Sequence, residues 1–243
     1  MIRNNYKIIE TENTKNNCKN KSLEGIRRNV RNYDNLESSI NFLEGNGGGS
    51  WFRKRRANKK YNIIRQFFQC ANISSNSNVL DIGCSGGRYI RLLLKNNLKP
   101  YWIDTSIIAL KHARSISNQN AVFIKASATE LPFRKNVFDV VLCIELLHHF
   151  DEYYIEKLFK DITSLIKPGG TFICDFRNSL NPIMSYIYRK NNGKHFTLNT
   201  ISIFKMIKIL KKYDFTIYKK ESILFPNSLF SPYFIFFCKY DKK

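Results

Sequence analysis

Short apolar runs alternate along the middle of the chain with longer segments in which apolar residues recur every three or four positions. The runs have the length of buried β-strands, and the periodic segments have the spacing of one face of an α-helix. Strands are predicted at residues 78–82, 99–103, 121–126, 138–144 and 171–176. Helices are predicted after the first strand, after Thr105 as a helix cap, and at residues 151–167. This alternation predicts an α/β fold with a doubly wound parallel sheet.

The last third of the chain continues the pattern with fewer sharp boundaries. Residues 179–198 are predicted to form a small inserted lid that carries basic side chains near its end. An amphipathic helix is predicted at residues 201–213. Two further strands are predicted at residues 215–224 and 233–240, and the second of these is rich in aromatic residues.

The first fifty residues are polar and rich in asparagine, and they end in a glycine-rich stretch. We expect residues 1–52 to form a partly disordered, partly helical extension, and residues 53–243 to form the main domain. Residues 51–70 predict an amphipathic helix whose first half is crowded with lysine and arginine. That cluster is either a solvated face or the source of an arginine that reaches a cofactor carboxylate.

A glycine-rich turn links the first predicted strand to the next helix, in the segment NVLDIGCSGGRY at residues 78–89. Gly83, Gly86 and Gly87 let the backbone turn tightly and come close to a bound molecule. A ligand at this position meets free backbone N–H groups at a helix N-terminus, with the Asp81 carboxylate beside it. The spacing of the glycines differs from the dinucleotide pattern GxGxxG. An ordinary strand-to-helix turn is the alternative interpretation.

An acidic residue, Asp104, ends the second predicted strand about twenty residues beyond the glycine turn. A carboxylate in this place accepts hydrogen bonds from both hydroxyls of a ribose. Capping of the following helix is the alternative role. Together with Asp81 and the glycines, the position favours nucleoside binding.

The glycine turn resembles motif I of class I S-adenosylmethionine (SAM) methyltransferases, written (D/E)xGxGxG. Asp81, Gly83 and Gly87 match it, and Ser85 stands where the family usually has its middle glycine. Residues 127–141 resemble the "DAxxLPFxxxxFDxV" run of the methyltransferase type 11 family, with Ser127 in place of the first Asp. An "LHH" segment and a turn similar to "LKPGG" then follow in the family's order. The resemblance spans about residues 60–178 and, more loosely, residues 199–240.

This resemblance implies a Rossmann-like sheet of seven strands, mostly parallel with an antiparallel last strand, and SAM as the cofactor. It also implies that the Ser127 hydroxyl accepts a hydrogen bond from the adenine amino group, with the Ala128 backbone amide beside the ring. The cofactor-binding residues that it implies are Asp81, Gly83, Cys84, Ser85, Gly87, Asp104, Thr105, Ser127 and Ala128.

Candidate catalytic residues follow the fourth predicted strand, where the family has a similar histidine-containing segment that faces the transferable methyl. His149 is the first candidate for a general base and His148 is the second. The alternative is that both histidines only cap the turn. Glu145 is a candidate for holding polar groups of the cofactor or the acceptor. Further candidate acceptor contacts are Arg177, Asn178, Tyr186 and Tyr188, with plain lid packing as the alternative for the tyrosines.

Composition predicts the class of protein and the cellular compartment. The hydrophobic fraction of 43% is that of a globular protein, and no apolar run approaches the ~18 residues of a membrane span. No apolar signal-peptide core follows the first residues. The six cysteines are scattered without a CxxC pair, which predicts reduced thiols in a cytoplasmic protein and no metal site.

The net charge of +21 is concentrated at the two ends of the chain. Residues 1–60 carry 14 Lys and Arg against 6 Asp and Glu, and residues 181–243 carry 12 against 3. An anionic partner such as nucleic acid is one interpretation, and the Lys, Asn and Ile usage of AT-rich coding is the other.

Three functions are compatible with these observations. The first is methyl transfer to a small molecule, such as a sugar, a quinone, a lipid-linked compound or a secondary metabolite. The second is methylation of a wobble-type uridine in tRNA, which the basic ends favour. It is disfavoured because this chain has Asp151 and Glu152 where the tRNA enzymes carry paired arginines. The third is a non-catalytic partner subunit with the SAM fold, against which the intact Asp81, Gly83 and Asp104 argue.

Overall fold

The computed structural model describes residues 9–10, 51–117, 121–191, 198–225 and 228–242. Apart from residues 9–10 and the first two residues of a helix, the predicted extension at residues 1–52 lies outside the described residues. The boundary between extension and domain stays a prediction.

A single mixed sheet runs through the described part of the chain, in the order β1-β4-β3-β2-β5-β6-β8-β7. Strand β8 is antiparallel to both of its neighbours, and the other paired strands are parallel. Seven of these strands form the predicted Rossmann-like sheet, which confirms the fold class, and the short β1 extends its β4 edge. The strands are β1 (Ile9–Glu10), β2 (Asn78–Ile82), β3 (Lys99–Asp104), β4 (Val122–Lys125), β5 (Phe138–Cys143), β6 (Ile166–Arg177), β7 (Phe215–Ile223) and β8 (Tyr233–Tyr240).

Helices cover both faces of this sheet. They are α1 (Trp51–Cys70), α2 (Ile90–Lys95), α3 (Ile107–Ser115), α4 (Glu152–Leu165), α5 (Pro182–Asn191) and α6 (Ile203–Lys212), with a 3-10 turn at Leu147–His149. Helix α5 occupies the predicted lid segment, and Ser202 caps α6 by accepting a hydrogen bond from the backbone of Lys205. None of the described helices is both long and apolar enough to cross a membrane.

Burial explains why the strands read as apolar runs. Strands β2 and β5 lie in the middle of the sheet, so both of their faces are covered and nearly every side chain is buried. Strand β8 shows the same pattern, because it lies between β6 and β7. Strand β7 is at the edge of the sheet and alternates between buried and more exposed positions. The two faces of the sheet carry separate hydrophobic clusters.

The turn predicted at residues 167–170 lies inside a continuous strand. Phe138 pairs with Ile166 and Val140 pairs with Thr171, so β6 advances five residues while β5 advances two. The Pro-Gly-Gly segment therefore loops out of the ladder as a bulge, with Gly169 at a φ of +73°. Helix α4 accordingly ends at Leu165, two residues earlier than predicted.

Candidate functional site

The glycine turn after β2 has three residues in the left-handed region of backbone conformation. Gly83 has a φ of 72°, Ser85 of 49° and Gly87 of 81°. Ser85 therefore adopts the conformation for which glycine is usually chosen at that position. The backbone N–H groups of Gly83 and Cys84 donate to the Ile103 carbonyl at 2.9 and 3.1 Å, which ties the turn to β3.

A side chain at position 83 of this turn would collide with a neighbouring residue. A Cβ atom there would lie 2.9 Å from Cδ1 of Leu146, closer than real Cβ contacts come. Cys84 is buried beneath the turn, and burial raises the pKa of its thiol well above the ordinary value. The turn is thus a compact backbone loop, which we call the cradle, packed against Leu146 on one side.

Asp81 lies directly before the cradle and is buried. Burial, followed by the negative charge of Asp104, raises the pKa of Asp81 to about 7. Its Oδ2 atom has no partner at good hydrogen-bond geometry among the described residues, and the nearby Trp102 side chain lowers the pKa of Asp81 only in part. A buried polar atom without such a partner costs about 1–3 kcal/mol, so a donor group on a bound ligand would relieve this cost.

Asp104 connects two parts of the site. Its Oδ2 atom accepts a hydrogen bond from the Ser85 backbone N–H at 2.8 Å, and its Oδ1 atom accepts one from Ser106 at 2.9 Å. The carboxylate therefore stabilises both the glycine turn and the start of α3. The cap of α3 is Ser106, where Thr105 was predicted, because the Ser106 hydroxyl accepts from the backbone N–H of Ala109.

The residues expected near adenine lie beyond β4. The Ser127 hydroxyl is 2.7 Å from the Thr129 hydroxyl and accepts the Thr129 backbone N–H at 3.1 Å. Ala128 is buried, whereas Thr105 is half-buried. The predicted roles of these residues toward a cofactor stay predictions.

A buried set of charges lies beside the cradle, where β5 and β6 end. We call Lys60, Glu145, Asp175 and Arg177 the ionic cluster. Lys60 is fully buried and forms ion pairs with both Glu145 and Asp175. Arg177 pairs with Glu145 and donates from Nη1 to Asp175 Oδ2 at 3.1 Å. The Glu145 backbone N–H donates to the other Asp175 oxygen at 2.6 Å, so one carboxylate joins three elements.

Burial and charge act against each other in the ionic cluster. Burial alone would raise the pKa of Glu145, but Arg177 and Lys60 outweigh it and hold that pKa well below its ordinary value. Burial lowers the pKa of Lys60, although Asp175 and Glu145 oppose the change. Arg177 keeps a pKa well above its ordinary value, because its carboxylate neighbours overcome desolvation.

Sequence reasoning missed Lys60 and Asp175. Lys60 shares a helical face with the buried Ile64 and Phe68, at spacings of four and eight residues. A lysine within an apolar helix face indicates a buried charge, and this pattern could have identified Lys60 from the sequence. Asp175 is a carboxylate near the end of a buried strand, which is a similar signal.

Aromatic rings enclose the ionic cluster. Three cations lie over the Tyr233 ring, with Arg56, Arg177 and Lys60 at 4.7, 5.0 and 5.2 Å from its centroid. Arg56 also donates to the Tyr233 hydroxyl at 2.7 Å. On the lid helix, the Tyr188 hydroxyl accepts from Arg177 Nε at 2.9 Å. The lid and the N-terminal helix are thus both tied to the cluster.

The two histidines of the 3-10 turn have different surroundings. His148 lines a cavity, and its buried Nδ1 atom has no hydrogen-bond partner in the described part of the chain. Burial, then the charges of Arg177 and His149, lower the pKa of His148 well below its ordinary value. His149 is buried, its ring centroid is 4.0 Å from that of His148, and its backbone N–H donates to Leu146.

The cavity that His148 lines has a volume of about 310 Å³, and we call it the edge cavity. Its apolar wall includes Phe150, Ile155 and Phe176, and its charged lining residues include Glu152, Arg177 and Lys205. The edge cavity adjoins the carboxyl ends of β5 and β6, the edge at which open α/β sheets bind ligands. A small molecule with an apolar body and a polar group fits this lining.

The other candidate acceptor contacts differ in how close they lie to the edge cavity. Asn178 is fully buried, and its side-chain amide donates to the carbonyls of Leu229 and Ser231 at 2.6 and 3.0 Å. Tyr186 is exposed on the outer side of α5. Of the four candidates, Arg177 is the one that lines the edge cavity, and Tyr188 reaches it through Arg177.

Comparison with protein families matches residues 80–174 to a methyltransferase domain model of the type 11 family. An uncharacterized methyltransferase of Synechocystis is 30% identical over 100 residues, or 41% of this chain and 47% of that protein. A ubiquinone biosynthesis O-methyltransferase of Rickettsia conorii is 26% identical over 121 residues, covering 49% of this chain and 41% of that protein. The chain thus spans about half the length, or less, of these curated relatives.

Solved structures extend the likeness to the whole fold. Magnesium protoporphyrin IX methyltransferase from Synechocystis, crystallised with bound SAH, covers 86% of this chain and 96% of its own, with a TM-score of 0.69 and 15% identity. A methyltransferase in complex with the Trm112 activator of Haloferax volcanii covers 76% of this chain and 92% of its own, with a TM-score of 0.63 and 15% identity. At this identity the likeness shows the fold.

Proposed function

The chain carries a methyltransferase domain of the type 11 family of class I SAM-dependent enzymes, and from this premise we propose that it methylates a small-molecule acceptor. The observation that carries the proposal is the backbone cradle at Gly83 and Gly87 beside the buried carboxylate of Asp81. A closed backbone turn with a buried acceptor atom is suited to a polar ligand that supplies a donor. A ubiquinone O-methyltransferase among the relatives supports the class of acceptor.

The residues around the cradle fit SAM. Asp81 and the turn from Gly83 to Gly87 would hold its amino acid part and its nucleoside, and Asp104 would accept hydrogen bonds from the ribose. Each Asp104 oxygen already accepts one backbone N–H, which fixes the carboxylate at the end of β3. Ser127 and Ala128 would contact the adenine. When bound, the cofactor supplies a methyl group on a sulfonium, which is already activated for transfer.

The protein's task is then to position the acceptor and, where needed, to remove its proton. The edge cavity would hold the acceptor's apolar body against Phe150 and Phe176. His148 is uncharged near neutral pH because its pKa is lowered, so a ring nitrogen has a lone pair for a proton. We therefore propose His148 as the general base in place of His149, while Glu145 holds Arg177 at the cavity wall.

A tRNA acceptor is the second candidate, and a specific observation favours it. The outer side of α1 carries Lys54, Arg55 and Arg65 as exposed cations. Cations of this kind bind a phosphate backbone without regard to its sequence. A non-catalytic partner subunit is the third candidate. The free thiols of Cys70, Cys84, Cys143, Cys174 and Cys238 support the proposal that the chain works in the reducing cytoplasm.

Calorimetric titration with S-adenosylhomocysteine tests the cofactor site. We expect micromolar binding, about −8 kcal/mol. Gly83→Ala should weaken it, because the new Cβ displaces the end of the Leu146 side chain and the residue needs a positive φ. Gly169→Ala is the matched control: its φ is +73°, but its Cβ would meet only Lys239, at 3.8 Å, so binding should persist. Equal binding by wild type and Gly83→Ala would contradict the assignment.

The same preparation distinguishes the acceptors. Labelled methyl transfer to bulk tRNA, with comigration at physiological salt, would replace the small-molecule proposal with the tRNA one. If the protein binds the cofactor but does not methylate tRNA, the small-molecule proposal is supported. Hydroxylated small molecules are then tested as acceptors. Tight cofactor binding without transfer to any acceptor would favour the subunit role.

A further inference from the structure

Exposed large apolar side chains are concentrated at one edge of the molecule. Of the ten such residues in the described part of the chain, nine lie at the carboxyl edge of the sheet, and Tyr218 in the middle of β7 is the exception. We call the nine residues the apolar rim. They are Tyr153, Ile183, Tyr186, Ile187, Phe204, Leu224, Phe225, Leu229 and Phe230.

Topology explains why these residues share an edge. Helices α4 and α6 both begin at the carboxyl edge, so Tyr153 and Phe204 lie in their first turns there. Helix α5 follows the end of β6. The remaining four residues belong to the connection between the end of β7 and the start of β8, where Ile223 pairs with Tyr233. The apolar rim thus lies at the edge where the edge cavity is found.

Helix α5 separates two environments. Met184 is buried and Tyr188 binds Arg177, so one side of the helix belongs to the site. Ile183, Tyr186 and Ile187 recur at spacings of three and four residues on the exposed side. Tyr186 is 63% exposed and Ile183 is 66% exposed, which is unusual for two large apolar side chains on one face of a helix.

Buried hydrogen bonds hold the other half of the apolar rim in place. Asn178 donates to the Leu229 and Ser231 carbonyls, and Asn181 donates to the Phe230 carbonyl at 2.8 Å. The Ser231 hydroxyl donates to the Ile223 carbonyl at 2.7 Å. The fold therefore presents Leu229 and Phe230 outward while fixing their backbone from within.

Cations surround the apolar rim. Arg189 and Lys190 end α5, and the Lys190 Nζ atom lies 5.8 Å from the Tyr186 ring centroid. Lys205 is exposed near the start of α6, where it pairs with Glu152. Lys54 is exposed on α1, six residues before Lys60. Apolar groups ringed by cations complement a surface that combines hydrocarbon with negative charge.

We propose that the apolar rim docks on an anionic lipid bilayer, with its side chains entering the headgroup region and its cations facing the acidic lipids. The proposed attachment is peripheral, through side chains that enter the bilayer surface. The edge cavity then faces the bilayer, because Glu152 and Lys205 line it next to Tyr153 and Phe204. If the proposed methyl transfer holds, the acceptor is an amphipathic molecule presented from the membrane surface.

Flotation of the full chain with lipid vesicles tests the docking. We expect cofloatation with phosphatidylcholine vesicles that contain phosphatidylglycerol, and weak binding to phosphatidylcholine alone. The double variant Ile187→Ser with Phe230→Ser should lower the partition coefficient by roughly tenfold or more, because two apolar side chains no longer enter the lipid. Tyr218→Ser, an exposed aromatic away from the rim, should bind like wild type.

Two further readouts keep the result interpretable. The double variant should bind S-adenosylhomocysteine as wild type does, because neither residue lies in the cofactor site. This outcome separates loss of docking from failure of the proposed function. Equal partitioning of wild type and double variant would overturn the proposal. If light scattering shows a dimer that the double variant abolishes, the apolar rim binds a second copy of the chain and the lipid proposal is wrong. If the double variant instead loses RNA binding, the partner of the rim is RNA.

Discussion

The glycine turn and the ionic cluster adjoin at the same edge of the sheet, yet they are built in opposite ways. The turn comes from one short stretch of chain, and its shape is set by positive φ angles and by backbone bonds to β3. The ionic cluster joins Lys60 to Asp175 across 115 residues, through charged side chains removed from water. One region is specified by local backbone geometry, and the other exists only once distant elements have packed.

This difference has an energetic side. The turn requires little beyond glycine where the backbone enters the left-handed region and neighbours leave no room for Cβ. The ionic cluster places ionised groups in a low-dielectric interior, where each one depends on the others. The turn should therefore tolerate changes around it, whereas the cluster should fail as a unit.

The largest effect is expected at His148, where the edge cavity meets the ionic cluster. His148→Gln should lower kcat by about 10²–10⁴, because the general base is lost. His149→Gln should lower it much less, since His149 does not line the cavity. Initial rates of labelled methyl transfer, with S-adenosylhomocysteine affinity as the folding control, measure both. The reverse order would return the role to His149, and two unaffected variants would exclude histidine as the base.

The next effect is on stability, at Lys60. Lys60→Met should lower the free energy of unfolding by about 3–5 kcal/mol, because the buried carboxylate of Asp175 loses a partner. Urea unfolding measures the loss. Lys54→Met on the exposed side of the same helix should change it by less than about 1 kcal/mol. Similar values for the two variants would show that the cluster is not an interdependent buried unit.

The smallest effect, taken per pH unit, is on the pH dependence of the free energy of unfolding, and it tests the turn side of the comparison. The folded-state pKa of Asp81 is about 7, above its ordinary value of 3.8, so the native state binds more protons between those values. The free energy of unfolding should therefore fall as pH rises from about 4 to 7, by at most about 1.4 kcal/mol per pH unit. Asp81→Asn should lack this contribution. Urea unfolding of both proteins across this range, without ligand, measures it, and equal slopes would contradict the raised pKa.

The sequence predicted the sheet and the turn well because both depend on short-range patterns. Apolar runs found the strands of the main sheet, and the glycine spacing found the turn. The bulge at residues 167–170 was read as a turn, because Pro-Gly-Gly ends a helix locally whether or not a strand follows. Ser106 rather than Thr105 caps α3, a difference of one residue that local propensity does not resolve.

The residues around the edge cavity and the ionic cluster were harder to predict, because their arrangement depends on tertiary contacts. His148 and His149 are adjacent and chemically identical, and their orientations are set by tertiary contacts such as the Asn199 N–H donating to the His148 carbonyl at 2.7 Å. The pairing of Lys60 with Asp175 depends on how α1 packs against β6. The apolar rim likewise appears only after the topology brings four separate segments to one edge.

The placement of β8 has a consequence for how the protein is made. Among the described strands it is the last to be synthesised, yet it lies between β6 and β7. Until β8 inserts, β6 and β7 each expose an unpaired row of backbone groups, which in β6 borders an apolar surface. Such an intermediate is prone to pair with another chain. Ribosome-bound or truncated chains that stop before residue 233 should therefore depend on chaperones far more than the finished protein does.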